Sequence, residues 1–172
     1  MPNWCSNRAT ISGPAPVIKE ITDILNQEDT PLLAWMVPEP KYEGDQDWYM
    51  WRVNAWGCKW DIGDVYFEHN ADEDQIVFEF SSPWGPPTQA FQTWAEQDGR
   101  VQFTLEYWEP GMAFVGRTEW DGEFLSEDHR DHQTDVQGYK EMAEEVFGYV
   151  EDEEEEPLTE WYTQGVKDKG LK

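Results

Sequence analysis

The chain has 172 residues, of which 38% are hydrophobic and 15% aromatic, with 11 tryptophans and a formal charge of −25 from 37 acidic and 12 basic side chains. That length suits one domain plus a tail, and the tryptophans imply a core built on aromatics rather than leucines. An acidity this strong excludes direct contact with nucleic acid, whose phosphates need a basic patch, and with anionic membranes.

Arg8–Ser12 reads as a first strand, ended by Gly13-Pro14. Ala15–Asn26 predicts a helix, because Val17, Ile18, Ile21, Ile24 and Leu25 recur at spacings of three and four. Leu32–Val37 is apolar and ambiguous, and Trp48–Trp60 reads as an irregular, Trp-rich insertion. Val65–Glu68 and Ile76–Phe80 predict strands. A helix starts near Pro87 and runs to Asp98, with Gly99 as its cap. Val101–Tyr107 alternates as a strand, and Ala113–Thr118 is another. Asp121-Gly122 signals a hairpin with Phe124-Leu125 on the return. Ser126–Asp135 reads as polar loop, and residues 134–148 as a helix with Val136, Tyr139, Met142, Ala143, Val146 and Phe147 inward.

The order predicts an α+β fold: a ferredoxin-like split βαβ sandwich with a Trp-rich insertion, an extra C-terminal hairpin and a helix. The domain spans 1–150, with the insertion at about 30–64 and the C-terminal helix at about 134–148. The two main helices cover one sheet face, and the insertion and the last helix are the candidates for the other. Residues 151–172 open on an acidic block, Glu151–Glu156, and read as a mobile tail whose Leu158, Trp161 and Tyr162 either dock, dangle or bind a partner.

Four stretches stand out: Met1-Pro2-Asn3-Trp4-Cys5-Ser6-Asn7, Asn54-Ala55-Trp56-Gly57-Cys58-Lys59-Trp60-Asp61, Phe80-Ser81-Ser82-Pro83-Trp84-Gly85-Pro86-Pro87, and Tyr107-Trp108-Glu109-Pro110-Gly111-Met112-Ala113-Phe114-Val115-Gly116. With these the chain resembles the YubB-like, ferredoxin-like domain proteins of phages and plasmids. Their pattern runs M-P-N-W-C-x-N, N-W-G-T-K-W-D, F-x-T-A-W-S-P-P and Y-x-E-P-G-x-x-F-x-G. The resemblance covers roughly residues 1 to 120 and implies the fold and a mobile-element origin, not a reaction. Cys58 stands where that pattern has Thr, and Ser82-Pro83-Trp84-Gly85 where it has Thr-Ala-Trp-Ser.

Trp4, Trp56, Lys59, Trp60, Asp61, Trp84 and Glu109 are shared with the pattern. They form either a packed cluster, with Lys59 over an indole face and paired to Asp61 or Glu109, or a ligand or partner cleft with aromatic walls and one cation. As a packed cluster, Trp56 and Trp60 are buried together with Trp4 or Trp84. His129-Arg130-Asp131-His132 reads as solvated loop, and no second histidine pair supports a metal site. The stretches Asp45-Gln46-Asp47 and Asp72-Glu73-Asp74 lack the glycine and closing glutamate of a calcium loop. No phosphate loop or nucleophile motif is present, so the reading is non-enzymatic, without cofactor or metal.

No apolar run approaches the ~18 residues of a membrane span, and the start of the chain lacks a signal-peptide pattern. The expectation is a cytoplasmic protein of a bacterial host with Cys5 and Cys58 as reduced thiols. It binds and inhibits or modulates a host or rival protein with a basic nucleic-acid-binding surface; the acidity serves either mimicry of nucleic acid or only solubility or a salty habitat. The charge of −25 matches roughly 40 Å of duplex at about 1.7 Å per charge. Asp72, Glu73, Asp74, Glu141, Glu144 and Glu145 are the candidate acidic surface. The alternative is a small-ligand or peptide-binding domain using the Trp-lined cleft.

Overall fold

The computed structural model describes residues 3–42, 47–67 and 74–148. Strand β1 (Trp4–Ser12) begins ahead of the predicted Arg8. Its inward residues are Cys5, Asn7, Ala9 and Ile11, so one buried amide interrupts the apolar period and hides the strand's first half in the sequence. Helix α1 (Ala15–Leu25) buries Val17, Ile18, Ile21, Ile24 and Leu25, the stripe that the spacing predicts.

The insertion holds two helices, α2 (Leu32–Met36) and α3 (Trp48–Trp56). The ambiguous Leu32–Val37 stretch is helical because the Asp61 carboxylate accepts from the Leu33 and Ala34 amides, each at 2.9 Å. Asp47 caps α3 by accepting from the Met50 amide, and Gly57 ends it with φ at 89°. A Cβ at Gly57 would lie 2.8 Å from Gln89 Oε1 and 3.0 Å from the Pro86 carbonyl, so packing and backbone both require glycine.

The remaining elements are β2 (Gly63–Phe67), β3 (Gln75–Pro83), α4 (Thr88–Asp98), β4 (Gln102–Glu109), β5 (Phe114–Trp120), β6 (Leu125–Asp131) and α5 (Val136–Phe147). They build one six-stranded sheet of order β2-β3-β1-β4-β5-β6. Every neighbouring pair is antiparallel. The first four strands with α1 and α4 form the ferredoxin-like split βαβ arrangement, and β5 and β6 extend its β4 edge.

Two expectations are corrected. The stretch from Ser126 to Asp131 is strand β6, not loop. An edge strand exposed along most of its length needs no apolar alternation, and its charges discourage pairing with another sheet edge. The insertion does not cover the second sheet face: α2 and α3 pack on α4, on the side of α1. Among the described residues α5 alone lies on the opposite side, against β4, β5 and β6.

The main core joins Ala9, Ile11, Phe78, Phe80 and Leu105 of the sheet to Ile21, Phe91 and Trp94 of the helices. Phe91 stands at its centre, 6.2 Å from the Phe80 ring and 5.5 Å from Phe103. A second cluster under α5 joins Val115, Tyr139 and Ala143 to Trp108 and Phe147. There the Trp108 indole donates to the Tyr139 hydroxyl at 2.9 Å. The predicted tail 151–172 lies outside the described residues.

Trp56 is 2% exposed and donates to the Val37 carbonyl at 2.9 Å, whereas Trp60 is 37% exposed. Trp56→Ala is therefore expected to cost about 3–5 kcal/mol. Trp60→Ala should cost less than about 1 kcal/mol, with urea unfolding as the measurement.

Candidate functional site

The sheet register brings all four motif stretches to one end of the molecule. Trp4 pairs with Pro83, and Ser6 with Trp108. Gly63, two residues beyond Asp61, pairs with Ser81. The starts of β1 and β2 therefore meet the ends of β3 and β4.

Buried polar groups hold this end together. The Asn7 side-chain amide donates to the Cys5 carbonyl at 2.9 Å, the Phe80 carbonyl at 3.3 Å and Ser82 Oγ at 2.8 Å. Ser82 Oγ donates onward to the Gly85 carbonyl at 2.8 Å. Glu109 is 1% exposed and accepts from the Gly111 and Met112 amides of its own turn, at 2.9 and 2.5 Å. A Cβ at Gly111 would lie 2.7 Å from Asn3 Nδ2, so glycine lets Asn3 rest on the turn. Asn3 in turn accepts from the Trp84 amide at 2.9 Å.

Above this scaffold three large side chains face solvent: Trp4 at 48%, Trp84 at 47% and Met112 at 54% exposure. Trp84 has φ at 71°, a left-handed backbone that bulky residues rarely adopt. Its neighbours on both sides are fixed by the hydrogen bonds above, and the strain is spent on holding an indole in water.

The other predicted residues separate into two settings. Trp56 is core, edge-on to Trp51 at 5.7 Å. Asp61 serves α2 and does not pair with Lys59; burial raises its pKa, against the three backbone amides that it accepts from. Lys59 Nζ lies 4.5 Å from the Trp60 ring centre, 5.6 Å from Tyr49 and 6.0 Å from Trp48. Arg52 sits 5.1 Å from both Trp48 and Trp56 while clamping Glu39 through two hydrogen bonds of 2.7 and 2.8 Å. The expected burial of Trp60 with Trp56, beside Trp4 or Trp84, is thus corrected: Trp4, Trp60 and Trp84 are all exposed. Indoles here are shared out among cations and solvent rather than stacked in one cluster.

Among the acidic candidates, Asp74, Glu141, Glu144 and Glu145 are exposed, and Asp72 and Glu73 lie outside the described residues. Glu145 reaches Arg117 at 3.5 Å. His129 and His132 sit in different surroundings, the first against Tyr107 and Phe114 and the second edge-on to Tyr139. No group of three His, Cys, Asp or Glu side chains suited to a metal occurs among the described residues. No described helix is long and apolar enough to cross a membrane. Asn7, Ser82 and Met112 lie inside the motif stretches but are not among the predicted site residues; the strand register and burial show that Asn7 and Ser82 build the scaffold and Met112 faces solvent.

Fold and register define a ferredoxin-like α+β domain whose motif loops gather at one end. Residues 59–157 match the family model described as the ferredoxin-like domain in Api92-like protein, and the chain belongs to that family. The crystal structure of Api92 from Yersinia pseudotuberculosis is similar, with a TM-score of 0.57 and 9% identity over 76% of this chain and 98% of that one. No curated protein matches.

Cys5 and Cys58 are buried and unpaired. Burial above all, with the Glu109 carboxylate near Cys5 and Asp61 near Cys58, raises both thiols, Cys58 to about 12. Their native forms hold protons that the unfolded chain releases near pH ~8.5. Stability from these thiols is complete below that pH and declines as pH rises toward 12. A thiol-reactive dye at pH ~8 should label neither cysteine until denaturant is added.

Proposed function

We propose that this chain is a non-enzymatic accessory protein of a phage or plasmid that binds a host or rival protein in the bacterial cytoplasm. The mobile-element part of the reading rests on the resemblance of the four motifs to the YubB-like proteins. The binding part rests on one observation: Trp84, in a left-handed backbone and 47% exposed, stands with Trp4 and Met112 over a fully bonded polar scaffold. Exposed indoles on a rigid support lose little entropy on docking, which is why tryptophan anchors so many interfaces. The alternative, a small ligand or peptide between indole walls, has less support, because Lys59 already lies over Trp60.

Nucleic-acid mimicry is the second reading, and the exposed Glu141, Glu144 and Glu145 on the solvent side of α5 favour it. A groove shaped for phosphates attracts such a surface and releases counterions on binding.

Affinity capture from host lysate, with Trp4→Ala/Trp84→Ala and Glu141→Lys/Glu144→Lys/Glu145→Lys as variants, separates the two. The first reading expects the tryptophan pair to weaken retention by about thirtyfold or more, while melting stays within a few degrees of wild type. Retention lost instead on charge reversal, and on raising salt, would place the contact on α5 and support mimicry.

A further inference from the structure

Beyond α4 the sheet runs on through β5 to β6, and a groove of about 330 Å³ lies between α4 and β6. Gln89 and Gln92 come from α4, Tyr107 and Phe114 lie between the walls, and Glu127 and His129 come from β6. The groove depends on a glycine. Gly116 pairs with Tyr107 on one side and His129 on the other, and a Cβ there would collide with the Tyr107 ring. Without that Cβ the tyrosine, 1% exposed, lies across β5. Its hydroxyl donates to Glu127 Oε1 at 3.1 Å and meets His129 Nδ1 at 3.3 Å.

The Phe114 and His129 rings stand 5.4 Å apart, and the Tyr107 ring is 6.2 Å from Phe114. Charge in the groove has one sign. Glu127 has no ion-pair partner among the described residues. The arginines of β5 and β6 are out of register with it: Arg117 pairs with Asp128 and Thr118 with Glu127, so Arg117 and Arg130 project from the opposite face. There they bind Glu106, Asp128 and Asp135. A carboxylate without an ion-pair partner among the described residues, beside aromatic rings and with glutamine amides opposite, suits a cation on an alkyl stem.

We propose that this groove takes the charged end of a lysine or arginine side chain of a protein partner, with the cation against Glu127 and the stem along Phe114 and His129. The assignment rests on the reading of the chain as a protein-binding module, and it adds a second contact, apart from Trp4 and Trp84.

The test is titration of the full chain with a hexalysine peptide at about 0.15 M salt, followed by amide chemical shifts. Nε-acetylated hexalysine and spermidine are the comparison probes. Shifts should concentrate at Gly116, Glu127 and His129. Glu127→Gln should weaken binding roughly fivefold, and Glu127→Lys, which supplies its own ammonium, should abolish it. Glu28→Gln, an exposed acid outside both sites, should change nothing, and all variants should melt as wild type does. Shifts spread along α5 with Glu127→Gln unaffected would overturn the proposal. So would equal binding of the acetylated peptide, and equal binding of spermidine would reassign the groove to free amines. Because no natural partner is used, a negative result here leaves the tryptophan contact standing. Loss of that contact alone would leave the groove.

Discussion

A buried side-chain amide must find partners inside the protein or destabilise it, and at Asn7 both requirements of that rule are visible. Its nitrogen reaches the Cys5 and Phe80 carbonyls and Ser82 Oγ, which ties the first strand to the end of the third. Ser82 is thereby oriented to donate to the Gly85 carbonyl, so the chain must turn within Pro83 and Trp84. That tight turn is what forces Trp84 to a φ of 71° and sets its amide on Asn3. One amide placed on the inward face of β1 thus shapes the end of the sheet at which the motifs meet. A network this connected gains from completeness, since every member left unpaired would carry its full desolvation cost.

Periodicity made the framework legible. The stripes of α1 and α4 and the alternation of β3 and β4 show in the sequence because their inward residues are apolar. Strand β1 was half hidden by Asn7, and β6 fully hidden by being a charged edge. Helix α2 has only five residues and owes its first turn to Asp61, 28 positions from Leu33, a contact that no local pattern announces. At the site, the motif residues were visible by type but not by burial. Trp56 and Trp60 stand four apart in sequence, yet one is core and the other exposed, because α3 ends at Gly57 between them.

All five arginines are engaged with carboxylates, Arg130 with Asp128 and Asp135. Arg8 holds Glu79, Arg52 holds Glu39, Arg100 holds Asp98 and Arg117 holds Glu106. The exposed pairs among them, such as Arg8–Glu79, contribute little to folding, so their effect is on the field rather than on stability. They neutralise selected positions and leave the remaining acids as the surface a partner meets. Lys59 differs: among the described residues it has no carboxylate partner and rests on indole and phenol rings. It keeps a positive charge, unneutralised by any described carboxylate, at the foot of the motif end.

Two glycines then divide the surface into separate contacts. Gly57 lets the end of α3 close on the Pro86 loop and on Gln89, which seats the insertion against the first turn of α4. Gly116 lets Tyr107 cross β5 toward β6. The α4 face between them carries Gln89, whose Oε1 approaches Gly57 and whose residue also borders the groove. A shift of α4 relative to the sheet would therefore be felt at both places, because well-packed layers transmit displacement rather than absorb it. The motif end and the groove are chemically independent, one presenting indoles and the other a carboxylate, but the loop of Pro86 and the start of α4 at Gln89 border both. A partner that engaged both would meet a single rigid body, and the entropy of joining would be lost once rather than twice.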